Sequence, residues 1–464
     1  MHIYSSKNFT SIKNFYLKQL NEVNNHGFKI IFFKLKTLVK LIAVAIPSLI
    51  IVLFIRVISP LILIILSPLD MGRIGAHTLL WFVKLKKIGE LKSRKTIYLF
   101  YFQNSTNHTN AQWLKMWRKH FNIFPSFIFK YVCIINNFFP GYEKYEFPPI
   151  NMFFCPLILK NDPNLSAKKQ QYLHSLKKDF VDNIIKIKEP LIYFKDEEIK
   201  IGNNYLKKIG THEYNFICFN ARDKAFLNKY NRDRDWSYHD YRNSNIYSYL
   251  PAMEKMTQKN FFCLRTGFIV ENKLINSNPK IIDYANSKDK SDLLDVFLGS
   301  KCRFYLLSGC GISLIPVTFN RPIVFVNYCN IYEVLTFVHN SLFIPKKYYL
   351  IKKKRLLTFK EFIDLDFKKH FLYGHKNNFS LNETFQELGI KIIDNTPEEI
   401  TDVVMEMDAR LNGIWKIDNE EEDLQDKFWS FFKHKSSLCE HRLIESPTFR
   451  IGSSFLKKNQ SLLN

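Results

Sequence analysis

The sequence predicts an α/β protein in which helices cover parallel β-sheets. Beyond residue 60, short runs of strand-forming residues alternate with amphipathic stretches, which is the pattern of strand–helix–strand units. The chain also has 464 residues, too many for one ordinary hydrophobic core. We therefore expect two domains with a cleft between them.

Each strand is predicted from an apolar run, and each helix from an amphipathic stretch that follows a strand. A segment rich in proline and aromatic residues at 122–161 is typical of a loop or of an insert that faces a substrate. A second series of strands opens at "NFICFNARD". The predicted strands are 61–66, 96–102, 216–220, 261–264, 280–283, 302–307, 323–327 and 390–393. The predicted helices are 111–121, 165–187, 246–256, 291–298 and 312–319.

Positive charge is concentrated near the amino terminus. The chain carries 67 Lys and Arg against 43 Asp and Glu, and its first hundred residues hold 15 basic and three acidic groups. A basic protein could bind nucleic acid, but no zinc-ligand spacing, RNP-type aromatic motif or helix-turn-helix pattern occurs, so we expect no nucleic-acid partner. The basic residues flank an apolar run instead, which favours anionic lipid as the partner.

That apolar run, residues 38–58, approaches the length of a single membrane span if Lys40 and Arg56 extend to the interface. The basic amino-terminal flank would then place the rest of the chain outside the cytosol, away from cytosolic nucleotides. A helix in the plane of the interface, or a hairpin bent at Pro47 or Pro60, keeps both ends on the cytoplasmic side. A buried core helix is the alternative.

Neither disulfides nor a metal site is expected. The eight cysteines include no C-x-x-C pair, and several lie in apolar runs, which is typical of reduced core residues. Asp283, Asp292 and Asp295 are metal ligands by residue type, but their positions fit a strand end and a helix face better. The P-loop and G-x-G-x-x-G patterns are absent, which argues against a P-loop NTPase or an ordinary NAD enzyme.

The stretch "FYLLSGCGIS" is the first candidate for a binding loop. A strand that ends in small residues and then begins a helix presents unpaired backbone N–H groups and the positive end of the helix dipole, where an anion is stabilised. Ser308, Gly309, Gly311 and Ser313 could therefore approach a pyrophosphate closely. The alternative is a tight turn in which glycine serves backbone geometry alone.

Arginines follow two other predicted strands. Arg222 comes after 216–220 and Arg265 after the next strand, with Arg242 between them in "HDYRN". Because the carboxyl ends of parallel strands share one edge, we expect Arg222, Arg265 and the glycine loop to converge. Arginine donates paired hydrogen bonds to phosphate, so this set, with Arg242, predicts a site for a nucleotide diphosphate. A surface salt bridge is the alternative for any single arginine.

Asp223, His239 and Asp240 are the candidate catalytic residues. A hydroxyl group must lose its proton as it attacks a substrate carbon, and a nearby carboxylate or imidazole could take that proton. For Asp223 we favour the alternative, an ion pair that orients Arg222.

Ten segments occur in a fixed order: "RIGAH", "FICFNARD", "YHDYRNSNIYSYLPAM", "CLRTG", "IIDYANS", "SDLLDVFLGS", "SGCGIS", "NRPIVFVN", "IDNTPEEITDVVMEMDARLNG" and "RIGSSFLKKNQSLL". This order resembles a family of bacterial glycosyltransferases found with surface-polysaccharide genes, from about Arg73 to the carboxyl terminus. The "NARD" element also resembles an H-x-R element of fucosyltransferase-like enzymes, whose arginine contacts the donor diphosphate. Two positions depart from these patterns: Asn220 replaces the histidine, and Ala76 is inserted ahead of His77.

The resemblance implies a GT-B architecture, in which two Rossmann-like domains face a cleft and the second holds the nucleotide sugar. The expected division is a basic segment with a membrane-associated helix at 1–60, an acceptor domain at 61–213, a nucleotide-sugar domain at 214–413 and a helical tail at 414–464. Because the domains begin at about residue 61, deletion of residues 1–58 is expected to leave them folded.

The implied reaction is transfer of a sugar from a nucleotide diphosphate donor to a lipid-linked or saccharide acceptor, without a further cofactor, at the cytoplasmic face of the inner membrane. Trp113 and Trp117, with 122–161, would supply apolar faces for the acceptor. The alternatives are a sugar-nucleotide epimerase-like enzyme and a non-catalytic, membrane-tethered binding protein of the same fold.

Overall fold

The computed structural model of this protein describes residues 28–69, 74, 95–102, 109–124, 126–145, 189–230, 236–329, 331, 338, 340–365, 381–431 and 449–464. The helix predicted at 165–187 and the position of His77 lie outside these residues.

Helices and strands alternate along the described chain. The helices are α1 Phe28–Ile58, α2 Ala111–Arg118, α3 Ser126–Asn136, α4 Asp196–Lys208, α5 Ala225–Tyr230, α6 Leu250–Gln258, α7 Asp292–Lys301, α8 Leu314–Thr318, α9 Phe359–Asp364, α10 Leu381–Glu387, α11 Pro397–Leu411, α12 Asn419–Ser430 and α13 Ser453–Lys458. The strands are β1 Leu63–Leu69, β2 Thr96–Phe102, β3 Ile123–Phe124, β4 Phe216–Asn220, β5 Phe262–Arg265, β6 Ile281–Ile282, β7 Tyr305–Leu307, β8 Ile323–Tyr328, β9 Ser341–Pro345, β10 Lys347–Leu350, β11 Arg355–Leu356, β12 Ile390–Ile393 and β13 Phe449–Ile451.

The chain forms two compact units. Unit 1 consists of Met1–Pro68, Ser93–Gln103 and Ile123–Phe147. Unit 2 consists of Leu69–Lys92, Asn104–Asn122 and Pro148–Asn464, and it contains every candidate site residue. The four-part division expected from the sequence stays a prediction.

Unit 2 contains a seven-stranded sheet in the order β13-β9-β8-β7-β4-β5-β6, with every neighbouring pair parallel. The predicted α/β class with a parallel sheet is confirmed. The chain adds β5 and β6 on one side of β4, then returns to add β7, β8 and β9 on the other side. The strand order therefore reverses between β4 and β7, and open parallel sheets form a ligand crevice at such a switch point, outside the carboxyl ends of the strands.

The middle of this sheet is covered on both faces. All five residues of β4 and all three of β7 are buried, although successive side chains point to opposite faces. One covering helix, α4, approaches its neighbour α7 closely because residue 202 is glycine. A Cβ there would lie 2.4 Å from the ring of Phe297, so we expect any larger residue at Gly202 to separate the two helices.

A second sheet, in the order β11-β10-β12, is antiparallel. The strand predicted at 390–393 is β12, but it pairs with β10 instead of extending the parallel sheet. Two strands that the sequence did not indicate, β9 and β13, extend the parallel sheet instead.

Unit 1 packs α1 against α3 and the sheet β1-β2-β3. Val52 and Ile55 of α1 are buried in one cluster with Val132 of α3 and with Tyr101. The segment 122–161 was expected to be a loop or an insert that faces a substrate. Its described part contains the helix α3, because the apolar side chains of α3 fill a core.

Arg56 links α1 to the last residue of α3 and to the residues after it. Its guanidinium donates to Asn136 Oδ1 (3.0 Å) and to the carbonyl of Pro140 (3.0 Å). Deletion of residues 1–58 would remove Arg56 and the buried face of α1, so the structure leads us to expect destabilisation of unit 1, contrary to the sequence-based expectation. Among the described residues, no helix combines the length and apolar character needed to cross a membrane.

Glu198 fixes the start of α4. Its carboxylate accepts hydrogen bonds from Lys115 Nζ (2.7 Å) and from the backbone N–H of Lys195 (2.8 Å). Burial acts to raise the pKa of this carboxyl, but the hydrogen bonds outweigh burial and hold the pKa at about 2, below the ordinary 4.5.

We expect Glu198→Gln to lower the free energy of unfolding at neutral pH by about 1–3 kcal/mol, since Lys115 and the helix start lose a charged acceptor. The depressed pKa means that the stabilisation is fully present above pH 4.5 and is lost as the pH falls towards 2. The stability difference in urea unfolding should shrink over that window. The neighbouring Glu197→Gln, at an exposed position, is the control. A difference that stays constant with pH would contradict this account.

Candidate functional site

The carboxyl ends of β4 and β7 lie side by side, with Asn220 opposite Leu307. The residues that follow the two strands also meet, because the backbone N–H of Arg222 donates to Ser308 Oγ (2.9 Å). The strand order reverses between these two strands. Arg222 and the loop that begins at Ser308 therefore flank the switch point, where ligands bind in sheets of this kind.

Asn220 ties the loops after three strands together. Its Nδ2 donates to the carbonyl of Thr266, after β5 (2.8 Å), and its Oδ1 accepts from Cys310 Sγ, after β7 (3.5 Å). The side chain is buried, and these bonds satisfy both of its polar groups. The residue that stands in place of a histidine is therefore a structural link between loops.

The Arg222 side chain is half-buried, and only part of its guanidinium is hydrogen-bonded within the described residues. NH1 donates to the carbonyl of His239 (3.2 Å) and to Asn243 Oδ1. Within the described part of the chain, no carboxylate pairs with it, and its Nε and NH2 have no hydrogen-bond partner. Burial, followed by the nearby charge of Arg242, lowers the pKa of Arg222. A guanidinium under such repulsion would be stabilised by a bound anion.

The second guanidinium comes from a 3-10 turn, Ser237–Arg242. Arg242 NH2 donates to the carbonyl of Gly309 (2.9 Å), so the side chain reaches the loop after β7. The structure thus brings together Arg222, Arg242 and the glycine loop.

Two residues that support this turn were not among the predicted site residues. Asn243 accepts from Arg222, and its own carbonyl accepts from Lys346 Nζ (2.7 Å). Asn243 directly follows Arg242, a position that could have drawn attention to it. Lys346 is 103 residues further along the chain, and no sequence pattern links the two.

The two glycines of the loop differ in the space around them. A Cβ at Gly309 would lie 3.0 Å from the ring of Tyr328, so this glycine permits close packing. A Cβ at Gly311 would meet, among the described residues, only the backbone oxygen of Ile74, at 3.9 Å. The surface above Gly311 is therefore open to a ligand.

The serines of the loop are used within the fold. Ser308 Oγ accepts from Arg222, and Ser313 Oγ donates to the carbonyl of Cys310 (2.8 Å). The following helix, α8, has five residues. A helix start carries at most about half an elementary charge and each arginine carries a full one, so the arginines contribute more positive potential here than the helix start.

We expect Gly311→Val to weaken nucleoside diphosphate binding about tenfold or more, because its side chain would occupy the open surface above the loop. Gly311 does not have a positive φ, so the backbone tolerates a side chain and the thermal midpoint should change little. Titration calorimetry and thermal melts measure the two effects. Gly309→Ala is the matched control, since its methyl group presses on Tyr328 and should lower stability. Unchanged affinity in folded Gly311→Val would exclude this loop from the site.

Arg265 does not join Arg222. It is buried, donates from NH1 to the carbonyl of Asn272 (2.5 Å) and lies 3.6 Å from Asp283 Oδ2. The expected convergence of Arg222 with Arg265 is therefore not observed, because Asp283, beyond β6, holds the Arg265 side chain. Arg242 is instead the arginine that lies near Arg222.

Asp223 links two loops. One carboxylate oxygen accepts from the backbone N–H of Ala225 (3.0 Å) and the other from that of Glu271 (2.9 Å). Among the described residues, the ion pair expected between Asp223 and Arg222 is not formed.

His239 and Asp240 both lie in the turn that carries Arg242. The His239 ring stacks on Trp236, with 6.0 Å between ring centroids, and its carbonyl accepts from Arg222. The Asp240 side chain is exposed, and its Oδ1 accepts from Asn243 Nδ2 (2.8 Å). Of the three candidate catalytic residues, Asp240 thus presents an exposed carboxylate beside the arginines.

In the part of the chain that the structure describes, no group of three or more His, Cys, Asp or Glu could hold a metal ion. The three aspartates that the sequence singled out each have a structural partner. Asp283 pairs with Arg265, Asp292 accepts from the backbone N–H of Ala111 (2.5 Å), and Asp295 accepts from the Tyr284 hydroxyl (3.1 Å).

Trp113 and Trp117 are fully buried and pack against each other, with 5.7 Å between ring centroids. The expectation that they offer apolar faces to an acceptor is therefore wrong, because α2 turns both rings into the core of unit 2.

No family model and no curated protein matches the sequence. Among solved structures, the chain is similar to E. coli ADP-heptose LPS heptosyltransferase II, with a TM-score of 0.38 and 12% sequence identity. The match covers 61% of this chain and 90% of that chain.

Proposed function

We propose that this protein is a glycosyltransferase that moves a sugar from a nucleotide diphosphate donor to a lipid-linked or saccharide acceptor. The observation that carries the proposal is the Arg222 guanidinium, which lies beside Arg242 at the switch point of a parallel sheet and pairs with no carboxylate among the described residues. A diphosphate would relieve the repulsion between the guanidiniums and accept hydrogen bonds from the Nε and NH2 groups of Arg222. The ordered segments described above support the same reaction class by resemblance.

In this reaction the bond between the sugar carbon and the diphosphate oxygen breaks, and a bond from that carbon to the acceptor oxygen forms. Negative charge grows on the leaving diphosphate, and Arg222 and Arg242 would stabilise that charge. Asp240, whose carboxylate is exposed beside them, is the residue that we propose to take the acceptor proton. No cofactor is needed for these steps.

A thermal-shift screen of ADP-, UDP- and GDP-sugars tests donor binding, because a ligand that binds the native state raises the thermal midpoint by mass action. Release of free nucleoside diphosphate in the presence of saccharide or lipid-linked acceptors then tests transfer. Binding without release would favour a non-catalytic binding protein. Conversion of the sugar nucleotide without release would favour an epimerase-like enzyme.

A further inference from the structure

The long helix α1 has two apolar faces. One of them packs against other described residues of unit 1. Val52 and Ile55 are buried against unit 1, and the Arg56 guanidinium lies 4.9 Å from the Phe139 ring centroid and 5.0 Å from that of Tyr145. These contacts hold the carboxyl-terminal half of the helix in a fixed rotation about its own axis.

The opposite face is a continuous exposed stripe. Its residues recur every three or four positions, which places them on one side of a helix. They are between 47% and 77% exposed, and they are Ile42, Ile46, Ile50, Leu53, Phe54 and Val57. We call this set the α1 stripe. It runs for about 22 Å along the helix, at 1.5 Å per residue.

The α1 stripe offers no hydrogen-bonding side chain. The polar residue nearest to it within 41–55 is Ser48, which is buried and donates to the carbonyl of Val44 (2.7 Å). Interfaces between proteins carry roughly one hydrogen bond per 100–200 Å². A wholly aliphatic and aromatic stripe is better suited to lipid chains than to a folded partner.

The positive charge of unit 1 favours membranes that contain anionic lipid. The described residues of unit 1 contain eight Lys and Arg and one acidic residue, Glu143. Four of these lysines precede the stripe on α1, and the Lys36 side chain is exposed. Lysines beside an apolar helix face strengthen binding to membranes that carry negative headgroups, by roughly 1 kcal/mol each.

We infer that unit 1 docks on anionic membrane surfaces through the α1 stripe, with α1 lying in the plane of the interface. The buried face keeps its contacts with α3 and the sheet, and the stripe enters the boundary between headgroups and acyl chains. This inference does not depend on the proposed transfer reaction, because it concerns residues remote in sequence from Arg222.

Vesicle sedimentation of the full chain tests the inference. Wild-type protein should bind vesicles of phosphatidylcholine mixed with phosphatidylglycerol more tightly than vesicles of phosphatidylcholine alone, and added salt should reduce the difference. The double variant Ile46→Glu with Ile50→Glu should lower the partition coefficient by about 100-fold, or about tenfold for each charge placed in the apolar layer. Lys36→Ala should weaken binding to the anionic vesicles by about fivefold and leave binding to neutral vesicles unchanged.

Ile414→Glu and Ile201→Glu are matched controls, because both residues are exposed and lie in unit 2. Neither should change vesicle binding. If the double variant melts below wild type, Ile46→Ser with Ile50→Ser replaces it, and a smaller loss of binding, about tenfold, is expected because apolar area is lost but no charge is added. If wild-type protein binds neither type of vesicle, the inference is overturned. A wild-type dimer that the double variant converts to a monomer, without vesicle binding, would instead assign the stripe to a second copy of the chain.

Discussion

Arg222→Ala is expected to lower turnover by about 100-fold or more, because it removes a donor aimed at the charge that develops on the leaving diphosphate. Loss of a charge-assisted hydrogen bond should also weaken nucleoside diphosphate binding by about 1.5–3 kcal/mol. The fold should survive the change. Burial and the proximity of Arg242 already lower the pKa of Arg222, so its charge is unfavourable in the protein without ligand.

Arg222→Lys separates charge from geometry. Lysine keeps the positive charge but loses the planar fork, so this variant should recover part of the activity and no more. Steady-state rates, calorimetry and thermal melts on the two variants measure turnover, affinity and stability separately. Normal turnover in folded Arg222→Ala would show that the diphosphate does not bind at this edge.

Arg265→Met should act on stability instead of binding. The Arg265 side chain is buried, and its removal takes the charged partner from Asp283, whose Oδ1 has no hydrogen-bond partner among the described residues. Breaking a buried ion pair by removing one partner typically costs about 3–5 kcal/mol. We expect a loss of about 3 kcal/mol in urea unfolding, with the affinity of the remaining folded protein for nucleoside diphosphate within about twofold of wild type.

A double-mutant cycle with Asp283→Asn identifies the cause. If the ion pair carries the effect, the two single losses should overlap and the double variant should lose less than their sum. If Arg265→Met is stable but fails to bind nucleoside diphosphate, Arg265 belongs to the donor site, as the sequence predicted.

The contrast between Arg222 and Arg265 shows how much of the candidate site could be predicted from the sequence. Arg222 follows an apolar strand and Arg265 ends one, and both strands were predicted within one residue of their ends. Runs such as 216–219 are easy to find because a central parallel strand is buried on both faces and is therefore almost continuously apolar. What fills the space beside a strand end depends on distant residues. The order of strands in the sheet places Asp283 beside Arg265, and a local sequence pattern does not contain that order.

Other misses have similar causes. The strand β13 has three residues, and its pairing with β9 joins positions more than a hundred residues apart, so no local periodicity identifies it. The helix Ser126–Asn136 lies in a segment rich in proline and aromatic residues, and these favour a loop by composition. Its contacts with α1 override that preference. The glycine loop was found because small residues after a strand are a local signal, whereas the difference between Gly309 and Gly311 depends on Tyr328.

The central claim is that the switch point between β4 and β7 binds the diphosphate of a nucleotide. Titration calorimetry of wild type and Arg222→Ala with ADP, UDP and GDP, each compared with its nucleoside, tests this claim most directly. We predict that at least one nucleoside diphosphate binds wild type about tenfold or more tightly than its nucleoside, and that Arg222→Ala removes most of this difference. Equal affinities for diphosphate and nucleoside in wild type, or a difference that persists in Arg222→Ala, would contradict the account.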